Sequence, residues 1–354
     1  MSLDQDERVH IQSPVRRSRV LPVRLLLMGL VSLVAAMVVA AMTGAASLPP
    51  AGILTEMGSR LPVLGIRSGL TERDAAILWE LRLPRIVLAA LVGAMLSAAG
   101  AAYQGVFRNP LADPYLLGAA SGAALGATLA IASGGAGPAV PLAAFAGGLA
   151  GVGLAYTLGR SVRGASGPVT LILSGVAVAS FLTAIQTFVQ QSNQETFRGV
   201  YRWLLGGLST SGWREVLLVL PYLIVSSVVL LLHRRLLDVL SVGDTETESL
   251  GIPAARVRLW VIVAATLGTA AAVASGGLIG FVGIIVPHAV RLVAGSSYRV
   301  VLPLSLLYGA AFLVLADLLA RTVISPAEVP IGVITAFFGA PFFAVVLRSG
   351  ARNR

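Results

Sequence analysis

"LLLMGLVSLVAAMVVAAM", Leu25 to Met42, carries no charge and, apart from Ser32, is apolar around the whole circumference of a helix. A helix on the surface of a soluble domain would show one polar face, and a barrel strand would alternate apolar and polar residues over about ten positions. This run does neither, and its length suits a helix crossing a bilayer, which takes about 20 apolar residues. Working outward, similar runs predict helices near 24–45, 86–107, 115–133, 139–159, 168–190, 215–232, 256–275, 279–294, 300–321 and 330–348. The expected fold is therefore all-α: a polytopic membrane protein of about ten spans with both termini on one side. Its parts are a tail over 1–23, a transmembrane domain over 24–348 and a tail over 349–354.

Composition agrees. Of 354 residues, 56% are hydrophobic and 12% charged, against about a quarter charged in a soluble domain. Mean hydropathy is +0.86. With 39 glycines and 6% aromatic residues, the spans should pack closely. Gly118, Gly122 and Gly126 recur every four residues, as do Gly147 with Gly151 and Gly276 with Gly280, and each series gives a flat strip for a neighbouring backbone. A glycine-lined path is the other use of such strips. "GAAYQGVFRNP" (100–110) and "GGLIGFVGIIVP" (276–287) share glycine spacing and a final proline, which suggests a weak inverted repeat.

Two absences exclude chemistry. There is no cysteine, hence no disulfide, thiolate nucleophile or Cys-ligated metal, and no metal site is expected. There is no lysine either, since all 26 basic residues are arginine, so the chain cannot carry a GxxxxGK[ST] nucleotide loop or a Schiff-base lysine. Any ATP and Mg²⁺ it depends on must be bound by a partner. The formal charge of +10 reflects topology rather than nucleic acid. With the N-terminus inside, 17 arginines fall on the inner side and 9 on the outer. The N-terminal tail has no cleavable signal pattern and is expected in the cytoplasm.

Charged residues near the spans are few enough to take singly. "RNPLADPYLLG" (108–118) sets Pro110 and Pro114 beside Asn109 and Asp113, which can accept from backbone donors freed where the helix stops. It reads as a tight cytoplasmic turn, or as a rigid constriction. Arg82, Arg85 and Arg321 all fall at outer helix ends, where they either snorkel to headgroups or form a basic ring for an acidic partner. Asp317 precedes Arg321 by four residues and can pair with it on one helical face. His288 follows Pro287 at an expected helix end, where capping or loop contacts would hold it. Arg198 and Arg202 face either an anionic substrate or Glu195.

The most polar inner segment is "VGDTETESLGIPAARVR", 242–258. Thr245 with Glu248 matches a capping box, Asp244 is a second candidate cap, and Gly251 can close the short helix in the left-handed conformation. Pro253 suits the first turn of the next helix, with Arg256 and Arg258 at its cytoplasmic end. Two capped helices joined at a glycine corner form a stiff element, suited to passing force from a partner.

The chain resembles the FecCD-type permeases, membrane subunits of ATP-binding cassette importers for iron-siderophores, haem and cobalamin. The resemblance rests on "LRLPRIVLAALVGAMLSAAGAAYQGVFRNPLADPYLLGAASGAALG", "GDTETESLGIPAARVR", "GLIGFVGIIVPHAVRL", "LADLLAR" and "EVPIGVITAFFGAPFF", in that order from about residue 78 onward. It implies a multi-pass subunit of the bacterial inner membrane, both termini cytoplasmic, that forms a dimer with a second permease subunit, a homodimer where the chains are identical, around a central path. Two ATPase subunits would sit below and a periplasmic binding protein above, delivering a metal chelate. It further implies that Arg82, Arg85 and Arg321 dock the binding protein. Asn109 and Leu111 match one inner gate, and Pro168 and Val169 occupy the other in place of the small hydroxyl residues common there. Residues 243–256, with Gly243, Asp244, Thr245, Glu248, Leu250, Gly251, Pro253 and Arg256, match the segment that rests on the ATPase. The chain itself would be no enzyme and bind no cofactor. An ion- or proton-coupled secondary transporter is the alternative, and it would need paired acids deep in the spans, where the sequence offers Asp317.

Overall fold

The computed structural model describes residues 21–44, 48–60, 67–161, 167–208 and 212–352, and these contain helices and no strand. Ten apolar helices form the bundle: α1 (Val23–Met42), α2 (Leu83–Phe107), α3 (Ala119–Ala132), α4 (Ala139–Ser161), α5 (Pro168–Ser192), α6 (Arg214–Leu240), α7 (Ala254–Gly276), α8 (Val282–Ala294), α9 (Tyr298–Thr322) and α10 (Ile331–Arg352). Seven are long and apolar enough to cross a membrane alone, and α3, α8 and the apolar part of α10 are shorter. Helices are the expected answer in lipid, because each satisfies its own backbone donors and acceptors. Of the expected tails, residues 1–20 and 353–354 lie outside the described residues, and α10 continues through the start of the C-terminal one.

The centre of the bundle is α2, α7 and α9, which are mostly buried, while α1, α4, α5 and α6 leave most of their surface uncovered. That outer surface is apolar, with Leu142, Phe181, Phe188, Leu217, Leu232 and Phe337 exposed. In water such faces would associate; against hydrocarbon they are at home. Small residues let the central helices touch backbone to backbone. A Cβ added at Gly100 of α2 would lie 2.0 Å from the Gly283 carbonyl oxygen of α8, and one at Gly93 would lie 2.3 Å from that of Gly309 in α9. The expected strip on α3 meets the one on α4 in the same way: a Cβ on Gly122 would be 2.2 Å from the Gly147 oxygen, and one on Gly151 would be 2.5 Å from that of Gly118. Gly276 and Gly280 do not form such a strip, since the first abuts Leu208 and the second has open space beside it. One buried polar contact crosses the centre, a 2.8 Å hydrogen bond between the Tyr103 and Thr266 hydroxyls.

Several boundaries differ from expectation for identifiable reasons. The segment before α2 is helical from Glu72 and passes through a π-helical stretch, Ile77–Arg82, directly into α2. A further helix, Pro50–Ser59, folds over it, where Trp79 Nε1 donates to Glu56 Oε1 at 2.9 Å. Trp213 Nε1 donates in turn to the Trp79 carbonyl at 2.9 Å. Helix α6 runs on to Leu240 rather than ending at 232, because "HRRLLDVL" continues it beyond the apolar run. The glycine-rich region after α7 is a true break over 277–281, with Gly277 and Phe281 at positive φ. The break is filled by the loop after the short helix Phe197–Leu204: Gly207 N–H donates to the Gly276 carbonyl at 2.9 Å. Pro287 and His288 therefore lie inside α8 and not at its end, and His288 packs edge-on to Phe342.

Candidate functional site

Two clusters of charge lie at opposite ends of α2, a helix of 25 residues and so about 37 Å long. At its first turn Arg85 reaches Asp317 on α9, donating from Nε at 3.0 Å and from Nη2 at 2.9 Å to Oδ1. The same guanidinium donates from Nη1 and Nη2 to Glu328, at 2.8 and 2.9 Å. Arg321 Nε lies 3.1 Å from Asp317 Oδ2, the pairing expected four residues apart on one helix. The Asp317 side chain is only 2% exposed, so its charge is out of water and held by two arginines. Arg321 also donates to the Ala40 and Thr43 carbonyls, and Arg82 Nη1 donates to the Ala41 carbonyl at 2.8 Å. These are the carbonyls left without partners at the C-terminal end of α1.

The three arginines are thus neither snorkelling to headgroups nor an open basic ring. Arg82 is buried and the Arg321 side chain is only 8% exposed, and together with Arg85 they fasten α1, α2, α9 and the 323–330 loop to one another. Glu328 is the outward member, with a side chain 48% exposed. The hydrogen bonds from Arg85 hold its carboxyl below the usual carboxylate range.

At the other end, α2 stops at Arg108, whose φ of 52° is left-handed. Arg108 Nη2 lies 3.8 Å from Asp244 Oδ1, and Arg258 Nη2 on α7 donates to both Asp244 oxygens at 2.7 and 2.9 Å. Asp244 opens the short helix Asp244–Ser249. The capping box expected from Thr245 and Glu248 is not formed: the cap is Gly243, with no side-chain hydrogen bond, and Thr245 lies one residue inside the helix. The anchor is Thr247 instead, fully buried and donating to the Gly243 and Val239 carbonyls. The stop is as expected. Gly251 adopts φ 76°, and its N–H donates to the Glu248 carbonyl while that of Ile252 donates to the Thr247 carbonyl, which satisfies the last turn. Pro253 is the cap of α7 rather than its first residue. Thr245, Glu246, Glu248, Leu250 and Arg256 are left exposed or partly so, a polar surface on a braced scaffold.

The candidate gate residues sit at this same end. Asn109 Oδ1 accepts from the Leu111 N–H at 2.9 Å, and Asp113 Oδ1 accepts from that of Tyr115 at 2.8 Å, two side-chain-closed turns that hold "NPLADP" rigid. Pro168 and Val169 form the first turn of α5, as the expected span from 168 requires; Pro168 is buried and Val169 exposed. Antiparallel alternation brings both pairs to the Asp244 end, and among the described residues no hydrogen bond joins them. Arg198 and Arg202 are exposed on the short helix Phe197–Leu204, with no ion pair to Glu195.

The profile of the FecCD transport family matches residues 23–349 of this chain. The chain belongs to the FecCD transport family. It is 44% identical to the cobalamin import system permease protein BtuC of Halobacterium salinarum, over 80% of this chain and 76% of that protein. It is 40% identical to the Fe(3+) dicitrate transport system permease protein FecD of Escherichia coli, over 77% of this chain and 85% of that protein. A solved metal-chelate type ABC transporter in an inward-facing conformation matches it with a TM-score of 0.82 at 30% identity, covering 93% of this chain and all of that one. The FecCD assignment makes it a multi-span membrane permease and a translocation subunit by kinship.

Sequence reasoning missed several residues that build this FecCD chain's two ends. Glu328 stood in "EVPIG" without a role, and Arg108 in "RNPLADPY" as a helix end. Asp238 was passed over too, although it accepts from the Tyr298 N–H at 2.6 Å and from Ser297 Oγ at 2.8 Å and so caps α9. Gln104 links α2 to α8, donating to the Gly283 carbonyl at 3.0 Å and accepting from Arg291. A charge or amide close to a span end was the available signal; the partner lay on another helix.

Proposed function

We propose that the chain is the permease subunit of an ATP-driven importer of a metal chelate, an iron-siderophore or else haem or cobalamin. It forms a dimer with a second permease chain, receives the chelate from a periplasmic binding protein and is driven by two separate ATPase subunits that hold ATP and Mg²⁺. The Asp317 end, where Arg82, Arg85 and Arg321 gather, then faces the periplasm and docks the binding protein, with Arg85 as the accessible member of the three. The Asp244 end and both termini face the cytoplasm of a bacterial inner membrane.

The observation that carries this reading is the short helix Asp244–Ser249 and its tether to the gate. Its exposed polar face can rest on a soluble partner, while Asp244 joins it to α7 through Arg258 and to the end of α2 through Arg108, the residue preceding Asn109. Displacing this helix pulls on the turn that holds Asn109 and Leu111. The paired gate at Pro168 and Val169 would move with α5. Alternating access then follows from tilting packed helices about a fixed path. A proton-coupled mechanism finds little support, because Asp317 lies at a span end, bonded to two arginines.

Purification of the chain with its candidate partners tests the proposal. A stable complex with an ATPase bearing the lysine-containing nucleotide loop is expected, with chelate uptake into proteoliposomes that requires ATP. Uptake by the chain alone, driven by a proton gradient, would overturn it.

A further inference from the structure

We propose that Glu328 is a built-in occupant of the accessible edge of Arg85, and that a docking protein binds by putting its own carboxylate in Glu328's place. This rests on the docking reading above and adds what the docking surface looks like before the partner arrives.

A guanidinium presents its N–H groups along flat edges that each match one carboxylate. One edge of Arg85 is taken by Asp317, which is buried and also held by Arg321. Replacing that partner would leave two largely covered arginines short of charge, so this edge is fixed. The other edge is taken by Glu328 through two hydrogen bonds of 2.8 and 2.9 Å. Glu328 is about half exposed and lies in the loop between α9 and α10, which is pinned beside it by the Val329 N–H donating to the Ala320 carbonyl at 2.9 Å. An exposed ion pair of this kind is weakly held, since water can take over both partners.

Like therefore exchanges for like. A carboxylate arriving from outside has the charge and the paired oxygens of Glu328 and can close the same two bonds, so Arg85 is never left bare in the bundle. A neutral surface has no carboxylate to offer Arg85 in exchange. Arg85 thus favours an acidic partner, while Glu328 competes with it, weakens its hold and speeds its release, which suits a protein that must dock and leave in each cycle.

The test is binding-protein affinity for the complete transporter in nanodiscs, with Glu328→Gln, Glu328→Ala and Arg85→Gln compared by surface plasmon resonance. Both Glu328 variants should dock roughly fivefold more tightly, the size of effect expected from removing one exposed ion-pair competitor. The gain should vanish when Arg85→Gln is also present, because the two residues act through one contact. If Arg85→Gln weakens docking while both Glu328 variants leave it unchanged or weaker, the exchange is overturned and docking at Arg85 stands. If Arg85→Gln has no effect on docking, the docking reading itself falls. Melting temperatures of the same samples separate these outcomes from loss of fold, and a gain shown by either folded Glu328 variant supports the exchange.

Discussion

Both ends of α2 are built the same way, with one aspartate between two arginines from different helices, yet they differ in burial. Asp317 is 2% exposed and sits between Arg85 and Arg321; Asp244 is 34% exposed and sits between Arg258 and, more loosely, Arg108. In the first cluster the charges have lost water and depend on one another, so the contact behaves as a rivet joining α2, α9 and, through carbonyls, α1. In the second, water reaches Asp244 and Arg108, so the contact between them can lengthen and re-form while Arg258 stays buried beside it. The same chemistry serves as a fixed point at one end and a movable joint at the other.

The largest effect should come from Asp317→Asn, which leaves Arg321 without a carboxylate and Arg85 with Glu328 alone. A loss of about 3–5 kcal/mol is expected, read as a large fall in melting temperature in detergent, whereas Asp244→Asn should cost less, about 1–3 kcal/mol, because Arg258 is buried but Asp244 itself is a third exposed. Equal losses would break the contrast between rivet and joint. Next comes the shaft between them. Gly100→Val pushes side-chain atoms into the Gly283 carbonyl and should cost about 1–3 kcal/mol by overpacking α2 against α8. Gly153→Ala, which meets nothing within 4 Å, should be neutral or slightly stabilising in the same melt. The smallest effect concerns pH. The Glu328 carboxyl titrates below its ordinary value, so its contribution is complete above the usual glutamate pKa of about 4.3 and is lost as pH falls through the lower folded value. Glu328→Gln should flatten that acidic limb of a melting-temperature profile, and an unchanged limb would show that Arg85 does not hold Glu328 in solution.

Much of the fold was legible because lipid leaves few options. A run such as Leu25–Met42 has to be a helix, and each of the ten expected spans has its helix in the structure. The glycine strips of α3 and α4 were readable from their spacing alone. Legibility failed where partners come from distant positions. Nothing local says that Arg85 will meet Glu328, or that Trp79 will bond Glu56 and so cover the segment before α2. The capping box failed for a different reason: Thr245 and Glu248 have the right spacing, but Gly243 starts the helix two residues earlier and the buried Thr247 hydroxyl does the anchoring. At the site, the Asn109 turn and the Gly251 stop were readable because each is closed within a few residues. The tie from Asp244 to Arg108 and Arg258 was not, since three separate segments supply it.

That tie also permits the most direct test of how the chain works. Proteoliposomes containing the permease, its ATPase and the binding protein would be assayed for ATP hydrolysed and chelate imported, comparing Asp244→Asn with the unaltered chain. If Asp244 carries motion from the short helix to the Asn109 turn, hydrolysis persists while uptake falls by about tenfold, the consequence of losing a coupling of about 1.4 kcal/mol. Uptake that stays in the normal proportion to hydrolysis would contradict it.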